Sequence, residues 1–299
     1  MPRRHLALLV LGVTATSFSA VLVRLADAPA FAVAFYRCAM AAAVLLPIAL
    51  ARRGEELRSL SRLQVGLAVL AGAFLAAHFA TWIPSLSLTS VAASSVLVTT
   101  QPLWVAAFGR VVGERVSRRA LVGIAVAFGG TLVISGGDLG GGGRAIAGDG
   151  LAIAGAICAA AYVVSGRNLR RDLSLVSYVA IVYTTAAALL AVAMVASGTR
   201  FVGYEPKVWL LFLAITAGPQ LMGHTVFNYL LGHLEAGVVA VAIMAEPVGA
   251  TLLALLILRE SPPVAAVAGG ALILVGVYLA IASQVRERDA TALAEAPVD

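Results

Sequence analysis

Residues 235–258 read EAGVVAVAIMAEPVGATLLALLIL, a run in which Glu246 is the one charged side chain after Glu235. The run is long enough to cross the hydrocarbon core of a bilayer, which takes about 20 mostly apolar residues as a helix. A carboxyl group at the middle of such a helix is costly. Pro247 also removes one backbone donor and frees the carbonyl of Ile243. The stretch therefore predicts a polar point halfway along a membrane helix.

The rest of the chain has the same character. Hydrophobic residues make up 61% of the 299 residues, charged residues make up 12%, and the mean hydropathy is +0.97. A soluble protein of this composition could not cover its surface with polar groups, and a disordered chain needs low hydrophobicity. The apolar runs are continuous and do not alternate in polarity, which favours helices over a β-barrel. We expect an all-α integral membrane protein with ten transmembrane helices, at 6–26, 30–51, 63–84, 90–111, 119–136, 149–167, 174–197, 207–231, 235–258 and 263–284.

The basic residues indicate the orientation. With the N-terminus inside, fifteen of the 21 Lys and Arg residues fall on the cytoplasmic side and five on the outer side, and Arg37 lies within a span. This asymmetry predicts cytoplasmic termini in a multi-pass membrane protein. Short basic clusters between apolar runs are topology signals, so nucleic acid is not an expected partner. The pattern Arg3-Arg4 before an apolar run also fits a signal peptide, but the run continues past the usual length to Leu25.

The sequence contains an internal duplication. Pro102 and Pro247 each follow a polar residue in the fourth and ninth predicted helices. His78 lies 24 residues before Pro102, and His224 lies 23 residues before Pro247. The spacing divides the chain into a first repeat at 1–137, a Gly-rich linker at 138–147, a second repeat at 148–284 and a cytoplasmic tail at 285–299. The tail is short and polar, and we expect it to be disordered.

Five helices per repeat is an odd number, so the second repeat must be inverted relative to the first. Inverted repeats with proline-interrupted helices at matching positions are typical of secondary transporters, whose site lies at the repeat interface near the middle of the bilayer. We therefore expect two inverted five-helix repeats around a central cavity.

Two stretches of the chain carry recurring motifs. The first, at 87–133, contains Gln101-Pro102, Gly113-Glu114 and Gly129-Gly130, and the second, at 230–279, contains Ala236–Ala240, Glu246-Pro247, Glu260 and Gly269-Gly270. Both stretches resemble the EamA repeat of the drug/metabolite transporter superfamily, and Arg37 falls where that family often has an arginine in its second helix. Among the branches, the chain is most similar to bacterial exporters of aromatic amino acids. The resemblance implies ten helices and an exporter or permease of small metabolites in the bacterial inner membrane.

Polar and aromatic side chains inside the predicted helices are the candidates for binding the substrate. Glu246 would bind an ammonium group or carry a proton, and the alternative is a protonated carboxyl that bonds a neighbouring helix. Gln220, His224 and Asn228 recur every four residues and predict one polar stripe. The aromatic rings would stack on the solute, and core packing is the alternative. The candidate substrate-binding residues are His78, Thr81, Trp82, Thr100, Gln101, Tyr162, His224, Asn228 and Glu246.

A second group of residues is assigned to gating or structure. Arg37 lies roughly 10 Å deep in the second helix. It could pair with a substrate carboxylate, but a structural or gating role is favoured. Pro102, Pro219 and Pro247 would let their helices bend. Glu114 and Glu260 fall at helix exits, where a structural role suffices.

These features predict a secondary transporter that exports small metabolites, amino acids above all, by alternating access. A permease for another amphiphilic metabolite or drug remains an alternative within this class, and a channel or an intramembrane enzyme are alternatives outside it. The sequence lacks His-Glu-x-x-His, Gly-x-Ser-x-Gly and Walker A motifs. We therefore expect no enzymatic activity, no cofactor and no metal. The expected partners are the solute, the lipid bilayer and, through small residues spaced by four such as Ala68, Gly72 and Ala76, a second copy in a homodimer.

Overall fold

The computed structural model describes residues 3–111, 118–138, 143–167, 169, 173–230, 233, 242–243 and 245–294, which contain helices and no strand. The all-α prediction is confirmed for these residues. The helices are α1 (Arg3–Ala26), α2 (Ala30–Arg58), α3 (Arg62–Ser85), α4 (Val91–Val98), α5 (Gln101–Val111), α6 (Arg118–Asp138), α7 (Gly143–Arg167), α8 (Leu175–Ala196), α9 (Pro206–Ile215), α10 (Thr225–Leu230), α11 (Glu246–Leu253) and α12 (Val264–Ala294). Two π-helical segments, πA (Thr216–His224) and πB (Ala254–Leu258), continue α9 and α11.

The helices separate into long and short ones. In the described part of the chain, six helical stretches are long and apolar enough to cross a membrane. Shorter apolar helices fall within the other four predicted spans. The count of ten spans therefore stays a prediction. The six long stretches are Arg3–Ala26, Ala30–Arg58, Arg62–Ser85, Gly143–Gly166, Leu175–Ala196 and Pro206–Leu230.

The fourth predicted span is not one continuous helix. It is broken at Thr99 and Thr100, where α4 ends and α5 begins. The hydroxyl of Thr99 donates to the Ser95 carbonyl at 2.7 Å, and that of Thr100 donates to the Leu97 carbonyl at 2.7 Å. Pro102 then occupies the first turn of α5, where its missing N–H would have had no helical partner. The proline thus starts a helix instead of bending one.

Glu246 is also placed differently from the prediction. It is the first residue of α11 and is followed at once by Pro247, so it lies at a helix N-terminus and not halfway along a helix. The backbone N–H of Gly249 donates to the Ala245 carbonyl at 3.0 Å and opens the helical ladder. Ala236–Ala240 and Gly113-Glu114, which belong to the predicted motifs, lie outside the described residues.

Pro219 lies in a widened turn of its helix. It lies inside πA, where hydrogen bonds span five residues: the Thr225 N–H donates to the Gln220 carbonyl. Because proline has no N–H, the regular i to i−4 ladder is interrupted there. A π-helical turn inside an α-helix is a frequent feature of functional sites.

Two segments that were predicted to be non-helical, the linker and the tail, are partly helical. The structure ends α6 at Asp138 and begins α7 at Gly143, so the last five residues of the predicted 138–147 linker are helical. The predicted disordered tail is wrong as far as Ala294, because α12 continues to that residue. Arg, Glu and Ala are strong helix formers, and the residues after Gln284 are rich in them.

Each long helix packs against helices distant in sequence. The most extensive contacts join α6 to α12, α3 to α7 and α2 to α8. The helix α1 lies against πA, α9 and α11, whereas α7 lies against α4 and α5. The first helix is therefore packed within the fold.

The α6–α12 contact is made through glycine. A Cβ atom added to Gly130 would lie 2.5 Å from the Gly269 carbonyl oxygen, and one added to Gly269 would lie 2.5 Å from the Gly130 carbonyl oxygen. Gly130 also faces Ile273, and Gly269 faces Ile134. The two backbones touch directly, as small residues permit between membrane helices.

The small-residue stripe on α3 is used within the chain. A Cβ atom on Gly72 would lie 2.6 Å from Thr185 Cβ and 2.8 Å from the Val182 carbonyl oxygen, both on α8. Ala68 and Ala76, on the same face, are buried. The stripe therefore gives no support to the predicted homodimer, because its partner is a helix of the same chain.

The α2 helix is tied to α8 at its C-terminal end. The Glu56 carboxylate accepts the Ser174 N–H at 2.6 Å, and it accepts the Ser174 and Ser177 hydroxyls at 2.7 and 2.9 Å. Nearby, the α2 backbone departs from helical geometry at Arg53, and residues 50–56 and 58 line a surface cleft of about 510 Å³. A carboxylate at a helix N-terminus is stabilised by the helix dipole.

Glu260 joins three segments at one end of the bundle. Its carboxylate accepts the Val91 N–H at 2.7 Å, the first N–H of α4, and forms an ion pair of 2.8 Å with Arg24. Arg24 also donates to the Leu86 carbonyl. These contacts fit the structural role predicted for Glu260, whereas Glu114 lies outside the described residues.

Replacing Glu260 with alanine is expected to lower the free energy of unfolding by about 1 kcal/mol, since the α4 N-terminus loses its acceptor and Arg24 loses its partner. Thermal unfolding of the detergent-solubilised protein would measure the loss. Glu205→Ala is the matched control, because the exposed Glu205 precedes α9 without a side-chain capping bond. Equal effects of the two substitutions would contradict the role assigned to Glu260.

Candidate substrate site

Arg37 is the most deeply buried charged side chain of the described residues, with 0% of its surface exposed. Its Nε donates to Gln220 Oε1 of πA at 2.9 Å. Its guanidinium carbon lies 3.9 Å from the centre of the Phe79 ring, in cation–π geometry. Arg37 on α2 is thus held between α3 and πA, one helix from each half of the chain.

The outer edge of the Arg37 guanidinium meets no acceptor from the residues that the structure describes. Within the described residues, neither Nη1 nor Nη2 has a hydrogen-bond partner. The Glu246 carboxyl is close enough to interact with Arg37 electrostatically, but no ion pair within 4.0 Å joins the two in that part of the chain. The site therefore keeps a cation and a carboxyl group near each other without neutralising contact.

The two predicted histidines lie in the same region. Nδ1 of His78 lies 2.9 Å from the Gly155 carbonyl oxygen of α7. Since a carbonyl only accepts, Nδ1 donates, which leaves Nε2 as the acceptor of a neutral ring. The His224 ring meets Phe79 edge-on, with ring centres 6.0 Å apart, and interacts electrostatically with Arg37 and His78. The sequence-predicted pair is brought together around Phe79.

Trp82 extends the group of rings formed by His78, Phe79 and His224. Its ring is stacked on His78 at an interplanar angle of 2°, with ring centres 5.9 Å apart. The Trp82 side chain is buried. This geometry suits an aromatic stack, although the contact itself is with a neighbouring histidine of α3.

Glu246 is half-buried and faces α1. The Thr16 side chain is near enough to its carboxyl group to interact with it, and Ser17 Oγ donates to its backbone carbonyl at 3.4 Å. A Cβ on Gly223 would lie 2.4 Å from Thr16 Cγ2, and one on Gly249 would lie 2.3 Å from Ser17 Oγ. Glycines on πA and α11 thus let α1 approach closely enough to reach Glu246.

Tyr162 and Gln101 are both connected through α7. The Asn228 amide donates to the Tyr162 hydroxyl at 3.2 Å, and the hydroxyl lies 3.4 Å from Asn228 Oδ1. Gln101 Nε2 donates to the Ala159 carbonyl at 3.4 Å. The Asn228–Tyr162 pair thus joins α10 to α7 within the second half of the chain, and the Gln101 bond joins α5 to α7.

Two candidate threonines are satisfied by their own helices. The Thr81 hydroxyl donates to the Ala77 carbonyl at 2.8 Å, and the Thr100 hydroxyl donates to the Leu97 carbonyl at 2.7 Å while it accepts from Trp104 Nε1 at 3.3 Å. Such back-bonding is common for threonine in helices. It leaves both hydroxyls less suited to hold a solute than their sequence positions suggest.

The predicted polar stripe contacts three different helices. Gln220 bonds Arg37 of α2, His224 meets Phe79 of α3, and Asn228 pairs with Tyr162 of α7. All three side chains are buried or half-buried. They point into the protein, but the widened turn of πA distributes them over separate partners.

Sequence reasoning missed three residues of this region. Phe79 lies between Arg37 and His224, Tyr183 bonds Thr225 at 3.1 Å, and Thr16 reaches Glu246. The aromatic pair lies in apolar runs, where a site residue has the same pattern as a core residue. The duplication could have found Thr16, because Thr16 lies four residues after Gly12 in the first half as Ala159, the partner of Gln101, lies four residues after Gly155 in the second.

Comparisons with known proteins agree with this architecture. A model of the EamA-like transporter family matches residues 4–136 and again residues 146–282. A protein of Archaeoglobus fulgidus described as an uncharacterised transporter is 28% identical over 287 residues, which cover 94% of this chain and 98% of that protein. One crystal structure shares the fold with a TM-score of 0.66 and 22% identity, over 94% of this chain and 98% of its own. The chain belongs to the EamA-like transporter family and is a membrane transporter of small molecules.

Proposed function

We propose that the protein is a secondary transporter that exports small metabolites, most of all amino acids including aromatic ones, by alternating access between two inverted five-helix repeats. The observation that carries this proposal is the group formed by the buried Arg37 and His78 and the half-buried His224 and Glu246, to which each half contributes two residues. Transporters built from inverted repeats bind their solute where the repeats meet.

Helix packing supports the inverted repeat. If α1 corresponds to α7, and α3 to the α9–πA–α10 stretch, the α3–α7 contact matches the contact of α1 with πA. In the same scheme α2 corresponds to α8 and α6 to α12. Exchanging the two halves therefore leaves the α2–α8 contact and the α6–α12 contact unchanged. A two-fold axis that exchanges the halves has this property. The reciprocal approach of Gly130 and Gly269 fits the same axis.

Side-chain contacts repeat in the same way. A Cβ on Gly12 of α1 would lie 2.7 Å from Phe227, and one on Gly155 of α7 would lie 3.4 Å from the Thr81 hydroxyl. Gln101 bonds the Ala159 carbonyl of α7, while Glu246 meets Thr16 of α1. Each pair in the first half has a counterpart at nearly the same offset in the second.

Helix N-termini occur at matching positions of the two halves. Gln101-Pro102 begins α5, and Glu246-Pro247 begins α11. Transporters often build their site from helices interrupted in the membrane, because the free helix ends carry partial charge. In this proposal Pro102 and Pro247 fix the interruptions, and Pro219 keeps πA deformable during gating.

The proposed solute class rests on the aromatic side chains near Arg37 and on Glu246. Phe79, Trp82 and His78 present aromatic surface, which suits an apolar or aromatic side chain. Glu246 would receive an ammonium group. The charge asymmetry of the sequence supports cytoplasmic termini. The location in a bacterial inner membrane is proposed from the family resemblance alone.

Counterflow in proteoliposomes tests the proposal. Vesicles that contain the purified protein and unlabelled phenylalanine are expected to accumulate labelled phenylalanine transiently, because a carrier exchanges solute across the membrane. Protein-free vesicles and vesicles without internal phenylalanine are the controls. A panel of other amino acids, nucleosides and drugs would define the range. A folded protein that exchanges none of them contradicts the carrier mechanism, and single-channel currents would indicate a pore instead.

A further inference from the structure

Arg37 presents an unmet electrostatic requirement. A cation that is fully buried without enough hydrogen-bond acceptors is costly, because it has lost its hydration. Gln220 satisfies Nε alone, and in the part of the chain that the structure describes Nη1 and Nη2 have no acceptor. The Gln220 amide nitrogen likewise has no acceptor in hydrogen-bonding geometry there, although the Tyr183 side chain is its neighbour. Three buried donors are therefore gathered around one positive charge.

The orientation of the guanidinium restricts what can satisfy these donors. Phe79 covers one face of the group at 3.9 Å, and Gln220 occupies its Nε. The two terminal nitrogens remain, and they form the edge that binds a carboxylate with two parallel hydrogen bonds. The Phe79 ring and the Gln220 amide fix the plane of the guanidinium from two sides. The edge formed by Nη1 and Nη2 is therefore held in place before a carboxylate binds.

The charged and titratable groups around Arg37 define the rest of the solute. Cys38, Tyr183 and Glu246 interact electrostatically with Arg37, and so do His78 and His224. Glu246 is the carboxyl group among these neighbours. A dianion would be repelled by Glu246, whereas a solute with one anionic and one cationic group could reach both Arg37 and Glu246.

We propose that Arg37 binds the carboxylate of the transported solute through its two terminal nitrogens, with Gln220 as a positioning residue and Glu246 receiving the cationic group of the same solute. The solutes are then zwitterions such as α-amino acids, and not amines, amides or neutral compounds. This inference rests on the proposed function and revises the structural or gating role predicted for Arg37.

Solute analogues test the anionic subsite directly. Unlabelled L-phenylalanine is expected to compete with labelled phenylalanine in counterflow at least about tenfold more strongly than L-phenylalaninamide or phenethylamine, which lack the carboxylate. All three keep the aromatic ring and the amino group, so a difference between them reports the anion alone. Equal competition by the three compounds would overturn the proposal.

Gln220→Glu tests the site from the side of the protein. A carboxylate at this position keeps the acceptor for Arg37 Nε and supplies an internal anion, so this variant is expected to fold at least as stably as the parent and to bind phenylalanine at least about tenfold more weakly. Arg37→Met should make any remaining transport insensitive to the carboxylate. Gln64→Glu is the matched amide-to-acid control, since Gln64 belongs to an exposed capping box at the start of α3.

The outcomes separate this inference from the proposed function. A folded Gln220→Glu protein that binds phenylalanine as the parent does would overturn the role of Arg37 while leaving the carrier intact. If the parent shows no counterflow with any solute, the carrier mechanism is wrong. Thermal unfolding in the presence of ligand then tests whether Arg37 binds a carboxylate. An increase in the unfolding temperature of the parent with phenylalanine would support the subsite, provided that phenylalaninamide gives no increase and that Gln220→Glu shows none with phenylalanine. Equal increases in all cases, or no increase in any, would overturn it.

Discussion

Gly130→Ala is expected to destabilise the protein by at least about 2 kcal/mol, a large effect for one added methyl group. The new Cβ would lie 2.5 Å from the Gly269 carbonyl oxygen and 2.9 Å from the backbone nitrogen of Ile273. Both neighbours are backbone atoms of α12 and cannot rotate away as a side chain would. The substitution must therefore push α6 and α12 apart along their most extensive contact.

The adjacent glycine provides the control. Gly129 has no atom within 4 Å of an added Cβ, so Gly129→Ala keeps the packing and gains up to about 1 kcal/mol of helix propensity. Thermal unfolding in detergent and the yield of monodisperse protein would measure both variants. Similar stability of the two would mean that α6 and α12 are not in backbone contact.

Glu246→Gln is expected to weaken phenylalanine exchange about 10- to 100-fold, the effect of losing one hydrogen bond to a charged group. The amide keeps the size of the side chain and its contact with Thr16, so the fold should persist. It cannot bind an ammonium group as strongly, and it cannot release a proton. Counterflow should fall without a pH gradient, and the residual rate should not respond to an imposed one.

Gln101→Ala is the matched control, because Gln101 occupies the corresponding position in the first half and its side chain bonds only the Ala159 carbonyl in the described residues. Its transport is expected to fall by less than about threefold, as for a neutral hydrogen bond at 3.4 Å. Parent-like rates of Glu246→Gln under all conditions would remove Glu246 from both solute binding and proton transfer.

The helical architecture follows from local patterns. A run of about 20 apolar residues has to satisfy its backbone internally in lipid, and the helix is the way one segment can do so. The predicted 63–84 span and α3, Arg62–Ser85, accordingly agree within one residue. Interrupted helices are harder to locate, because Pro102 and Pro247 are compatible with a bend or with a helix start. Which of the two occurs depends on what the neighbouring helices offer the freed backbone groups.

The sequence by itself determined that this chain belongs in a membrane, that its two halves resemble each other, and that His78, His224 and Glu246 are polar groups in apolar helices. The tertiary structure decided what those groups do. Arg37 was predicted to have a structural or gating role, but among the described residues its two terminal nitrogens have no acceptor, and Phe79 is the ring beneath it. The physical reason is that hydrophobic periodicity reports burial within one helix, whereas the partners of a buried charge come from helices about 40 to 180 residues away in the chain.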